Sequence, residues 1–174
     1  MAGILAFDAA AIVENTCYCR RIVLIGSAIM GIDHGIARMG IAISDPLCIV
    51  ARPYSIIVRR SKKADFRVIQ RILYKENIRK IVIGLPTNSR GEVGKQALVT
   101  IRWAVKLSEA VQQPIVFWDE SFSSQEAAKI QGRGSERRAR LDDIAAAVIL
   151  QEYLDIGETD HEPGQTLEAL KKYL

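Results

Sequence analysis

The spacing of apolar and polar positions changes repeatedly along this chain. From Ala28 to Ile32 every residue is apolar or glycine, and the run stops on Asp33, the pattern of a strand buried on both faces. His34-Gly35-Ile36-Ala37-Arg38 reads as a tight turn. Met39 to Ser44 is a second strand, with Gly40 and Ala42 as small residues on one face, so the pair reads as a hairpin. Ser55 to Val58 predicts a third short strand. From about Lys62 to Glu76 the period becomes helical: Ala64, Val68, Ile69, Ile72 and Leu73 form an apolar stripe, the other faces are basic, and Asn77 suits a left-handed stop. Lys80 to Leu85 is again continuously apolar after its lysine and breaks at Gly84 and Pro86. A loop with Gly91 and Gly94 leads into a helix from about Lys95 to Val111, with Ala97, Ile101, Ala104, Val105 and Val111 inward. Pro114 to Trp118 is a further strand, closed by Asp119-Glu120. Ser123 or Ser124 suits the cap of a short helix with Glu126 in its first turn. Gln131 to Arg140 reads as a basic, glycine-containing loop, Leu141 to Leu154 as the last core helix, and a short helix is expected from Gln165.

The order β, β, β, α, β, α, β, α, α predicts an α/β fold: a mixed five-stranded sheet, a three-stranded antiparallel meander plus parallel strands, with helices on both faces. A length of 174 residues suits one domain with short appendages. We expect a domain over 28–156, an N-terminal extension over 1–27 and an acidic tail over 157–174. Residues 1–27 show no clean period; Ile22 to Ile25 fits either an added strand or surface packing.

Composition narrows the classes. Apolar residues make up 49% and charged residues 25%, enough for a core and unlike a disordered or disulfide-stapled chain. The longest nearly uncharged apolar stretch, Ile22 to Ile32, is about half the roughly 20 residues of a membrane helix, so no membrane span is expected. Residues 1–19 carry Asp8 and Glu14 and no Lys or Arg, unlike a secretory leader. Cys17 and Cys19 form neither a disulfide framework nor a zinc set, which fits reduced thiols in a cytoplasmic protein. Charge is segregated: residues 59–80 carry +7, residues 129–140 carry +4, and Glu152 to Leu174 carries −4. Clustered positive charge is the footprint of a phosphate-backbone binder, and equally of a solvated helix face.

Three acids stand out by position. Asp33 closes a buried strand, Glu120 follows a later one, and Asp142 lies near the start of the last core helix. Carboxylates converging from separate elements on one sheet edge make a hard-oxygen site suited to Mg²⁺ or Mn²⁺, and such ions activate water for phosphodiester hydrolysis. Singly, each also fits a structural role: Asp142 as a first-turn helix acid, Asp119 and Glu120 as solvated turn residues. His34 and His161 are too few for a histidine metal site; His34, next to Asp33, fits acid/base assistance but reads first as a surface turn residue. Ser121, Ser123 and Ser124 lack a visible His/Asp relay, and Gly84-Leu85-Pro86 lacks the ending of a nucleotide-binding loop.

Gly31-Ile32-Asp33-His34-Gly35, with Arg38, Gly40, Ala42 and Ser44-Asp45, resembles the opening motif of the YqgF family. Ile83-Gly84-Leu85-Pro86 with Gly91, Gly94 and Ala97 is similar to its central motif, and Asp119-Glu120 to its acidic strand end. Leu141-Asp142, Ala145-Ala146, Ile149-Leu150-Gln151 and Tyr153-Leu154-Asp155 match its terminal helix. The resemblance runs from about Met30 to Asp155, with four motifs in order.

It implies an RNase H-like fold and a metal-dependent nuclease, a hydrolase of ester bonds. Its members are described as pre-16S rRNA nucleases and, earlier, as Holliday junction resolvases. It further implies Asp33, Glu120 and Asp142 as catalytic, metal-binding acids, with Asp143 the rival to Asp142 and Mg²⁺ (or Mn²⁺) the ion. Arg38, Arg137, Arg138 and Arg140 would hold substrate phosphate. Ser121 stands where the family carries arginine, which weakens that contact or shifts it to the Arg137–Arg140 cluster. Expected partners are structured RNA (pre-rRNA) or branched DNA, for a monomer or a homodimer. A junction resolvase and a non-catalytic nucleic-acid-binding module of the same fold are the alternatives.

Overall fold

In a computed structural model of the protein, β1 (Ala28–His34) occupies an interior position of one mixed sheet. The structure describes residues 27–87, 93–119, 135–156 and 164–174, with side chains in the 135–156 helix from 144 onward. β1 pairs antiparallel with β2 (Arg38–Ser44), which pairs antiparallel with β3 (Ala51–Val58). On its other side β1 pairs parallel with β4 (Ile78–Leu85), and β4 parallel with β5 (Ile115–Asp119). This is the expected meander followed by parallel strands.

Among the described residues the sheet has six strands rather than five, because β6 (Gln165–Thr166) adds antiparallel to β5 and gives the order β3-β2-β1-β4-β5-β6. Helix α4 (Leu167–Leu170) follows, then one 3₁₀ turn (Lys171–Tyr173), and Leu167 and Leu170 enter the core. Two residues of strand carry no readable alternation, and their pairing is fixed by Phe117 and Val116, some fifty positions away in the chain.

Helices cover both faces. Met30, Ile32, Ile41, Ile81, Ile83 and Phe117 pack with α1 (Lys62–Lys75) and α2 (Lys95–Ser108). Ile29, Ala42, Val82 and Val116 point the other way, into Ala146, Ile149, Leu150 and Tyr153 of α3 (Ser135–Ile156). The period-two alternation of each strand thus feeds two separate apolar layers, which is why the strands read as unbroken apolar runs.

Local chemistry sets the helix ends. Ser61 caps α1 by accepting from the Ala64 amide at 3.2 Å, and Asn77, at φ 49°, ends its exit in the left-handed region. α3 begins at Ser135, inside the segment expected to be a loop. Glu136 to Leu141 are strong helix formers that extend the helix back toward Gly134. β3 begins at Ala51 rather than Ser55, because an edge strand with exposed Arg52, Pro53 and Tyr54 lacks the apolar alternation. The short helix expected after Ser123 lies outside the described residues. Among them no helix is long and apolar enough to cross a membrane.

Candidate active site

Asp33 is the penultimate residue of β1. Ile29 and Gly31 face α3, so the alternation of the strand puts Asp33 on that side too, half-buried. Its cross-strand partner on β2 is Gly40. On β4 the parallel register pairs Gly31 with Val82 and Ile32 with Ile83, so Gly84 stands level with Asp33. On the α3 side, therefore, Asp33 has a glycine on each neighbouring strand. These two glycines form a notch in the sheet surface at the level of the carboxylate.

Gly31 shapes the wall of this notch. A Cβ on Gly31 would lie 2.7 Å from Leu150 Cβ and 2.9 Å from the Ala146 carbonyl oxygen, so only glycine lets α3 approach β1 this closely. The helix runs antiparallel to β1. Tyr153 accepts a hydrogen bond from buried Lys80 at the start of β4 (3.1 Å), and Gln151 accepts from the Ala51 amide at the start of β3 (2.8 Å). Ala146 and Leu150 meet β1 at mid-strand, so the N-terminal turns of α3 lie toward the strand end that carries Asp33. The Asp142 backbone is one turn before Ala146 on the stripe Ala146, Ile149, Leu150, Tyr153.

Arg38 opens β2 and shares the alternation of Gly40 and Ala42, which places it on the α3 side at the same end as Asp33. The backbones of Arg137, Arg138 and Arg140 belong to the first turns of α3. Glu120 lies outside the described residues, directly after Asp119, the last residue of β5. Asp119 accepts a hydrogen bond from Thr87 Oγ1 at 2.5 Å, and Thr87 also bridges to Val93, so the segment after β4 is tied to the end of β5. Among the described residues, no three Asp, Glu, His or Cys side chains converge as a metal cluster.

His34 departs from its expected surface position. It is 4% exposed and points through the sheet to the α2 side, away from Asp33. Its Nδ1 lies 3.1 Å from Thr100 Oγ1, and its ring lies 4.6 Å from that of Trp103. Burial pulls its pKa from 6.5 to about 4, helped by the nearby Arg59 guanidinium and opposed by a backbone hydrogen bond. A neutral imidazole walled off on the far face is a packing group.

Arg59, which the sequence offers only as one cation among many, is a fastener. Its Nη1 donates to the Gly35 carbonyl at 3.0 Å, its amide donates to the Ala37 carbonyl at 3.0 Å, and its Nε lies 3.6 Å from buried Asp65. The turn after Asp33 is thereby pinned to the start of α1. The pairing of these glycines and this fastener emerge only from strand register and tertiary contact; the small residues Gly40 and Ala42 and the break at Gly84 are their trace in the sequence.

Known proteins resemble this chain over most of its length. A model of the RuvX family, described as Holliday junction resolvase, matches residues 27–156. The chain is 42% identical over 133 residues to a protein of Syntrophomonas wolfei named "Putative pre-16S rRNA nuclease", covering 74% of this chain and 94% of that one. A protein of the same name from Synechococcus elongatus is 39% identical over 145 residues, covering 77% and 97%. Among solved structures, T. thermophilus RuvC in complex with a Holliday junction substrate aligns with a TM-score of 0.48 at 16% identity, covering 75% of this chain and 96% of that one.

Proposed function

We propose a function from one premise: this chain belongs to the RuvX family. It is a nuclease, hydrolysing phosphodiester bonds, and its substrate on this reading is the precursor of the small-subunit rRNA, trimmed at the 5′ end in the cytoplasm. The observation that carries the reading is the Asp33 carboxylate at the end of an interior strand, with Gly40 and Gly84 beside it and α3 close above.

Asp33, Glu120 and Asp142 would hold Mg²⁺, or Mn²⁺; what supports this is a half-buried hard-oxygen donor at a strand end, an acid directly after the end of β5, and an acid on the sheet-facing stripe of α3. A bound divalent ion supplies an acidified water and neutralises charge developing on phosphate. The chain's own part is positional. β1 fixes the carboxylate, the glycine pair leaves room for a phosphate group to approach it, and Arg38, Arg137, Arg138 and Arg140 orient the backbone of the strand. His34 takes no part in proton transfer on this reading, since it lies on the opposite face.

The test is cleavage of a pre-rRNA fragment and of a synthetic four-way junction by the wild type and Asp33→Asn, with Mg²⁺ and with EDTA. We expect Mg²⁺-dependent cleavage of the RNA and a loss of at least a thousandfold in Asp33→Asn, with an unchanged melting profile. Undiminished turnover by Asp33→Asn overturns the assignment of Asp33. The description of the family model favours a second reading, resolution of DNA junctions by a symmetric pair of chains. Cleavage of the junction but not the RNA selects it. Binding of either substrate without metal-stimulated cleavage indicates a non-catalytic module.

A further inference from the structure

On the face of the sheet opposite Asp33, α1 and α2 leave a groove of about 540 Å³ between them. Lys62, Lys63 and Arg67 of α1 and Lys106 of α2 surround it, and Phe66, packed on Trp103 with centroids 5.7 Å apart, forms an apolar floor. Among the described residues that line it, Glu109 is the only acid, and it is already paired with Lys106 at 2.8 Å.

The charge pattern is unusual for a merely solvated helix face. Lys63, Arg67 and Arg71 repeat at i, i+4 with the same sign, a spacing that disfavours the helix unless an external anion offsets it. Among the described residues none of Lys62, Lys63, Arg67 and Arg71 forms an ion pair, whereas Arg59, Lys75 and Lys106 each do. Exposed Tyr74 continues the stripe, one turn beyond Gln70, and supplies a ring face of the kind on which unpaired bases stack.

The groove is also linked to the candidate active site. Arg59 holds the turn that follows Asp33 against the start of α1, so exposed Arg60 and Lys62 adjoin that turn. Arg60, Lys62, Lys63 and Arg67 follow in sequence from that turn to the groove.

We propose that the α1–α2 groove is a second nucleic-acid contact, which holds the phosphodiester backbone of the substrate outside the segment being cut. This rests on the nuclease reading for the identity of the strand. The groove recognises backbone charge with an apolar floor for sugar or base, and so binds without strict sequence preference.

The experiment compares two charge-matched double variants of the full chain, Lys63→Gln/Arg67→Gln in the groove and Lys171→Gln/Lys172→Gln near the C-terminus. The probes are 60-nucleotide and 10-nucleotide single strands of RNA and of DNA, titrated from 50 to 300 mM salt. We expect the groove variant to bind the 60-nucleotide RNA at least tenfold more weakly at 50 mM salt. The slope of log affinity against log salt should fall in magnitude by about 1.4, at roughly 0.7 per neutralised phosphate contact. The C-terminal variant should stay within twofold of wild type, and so should the groove variant on the 10-nucleotide probe. An equal loss on DNA assigns the contact to the backbone alone; a smaller one adds contacts to the ribose. Unchanged long-strand affinity in the groove variant, or equal losses in both variants, overturns the proposal. A failure of the catalytic reading shows in the cleavage assay and a failure of the groove in this binding assay, so the two are distinguishable.

Discussion

His34 and Asp33 are adjacent in sequence and opposite in circumstance, because successive strand residues face different layers. One consequence is a pH dependence of stability. The imidazole titrates near 6.5 when unfolded and near 4 when folded, so between those values the unfolded chain binds more protons and stability rises with pH. As pH falls through 6.5 the folded state loses ground, by on the order of 3 kcal/mol once pH is below 4. Urea midpoints recorded from pH 7.5 to 4 should show this decline, and His34→Phe should flatten it. An equal decline in that variant places the effect elsewhere. The sequence displays Asp33 plainly, since an apolar run stops on it. It conceals the burial of His34, which depends on Thr100, sixty-six positions away, and on Trp103. It equally conceals the glycine neighbours of Asp33, which only the pairing of three strands brings level.

At the scale of elements, the contact between β1 and α3 governs the site. Gly31→Ala places a methyl group against the Ala146 backbone and the Leu150 side chain, and the helix must move away from the sheet. We expect a loss of roughly 1–3 kcal/mol in denaturant unfolding. Cleavage should fall by more than the unfolded fraction explains, because Asp142 rides on the same helix. Wild-type stability in Gly31→Ala would show that the interface is loose. α1 and the inner strands were readable because their periods are long and their faces uniform. α3 was read as starting six residues late because its first turns are charged rather than apolar. β3 was read four residues too short because edge strands trade apolar alternation for proline and charge.

Across the whole molecule, the C-terminal segment is structural. Its two-residue strand pairs with β5, Leu167 and Leu170 complete the layer around α2, and Gly164, at φ 96°, threads the chain past the Phe117 carbonyl. The family match stops at residue 156, so a chain ending there lacks these contacts. We expect such a truncation to melt well below the full chain and to aggregate along the bared β5. Leu170→Ala, a milder change, should cost about 2–5 kcal/mol. Matching melting curves for the truncated and full chains would show the segment to be dispensable.

The sheet ends unequally. One margin is occupied by β6, at two residues too brief to template another strand, while the eight-residue β3 has no strand beyond it among the described residues. A contact of β3 with β3 between two copies would use the longer margin of each and would favour a closed pair over a fibre.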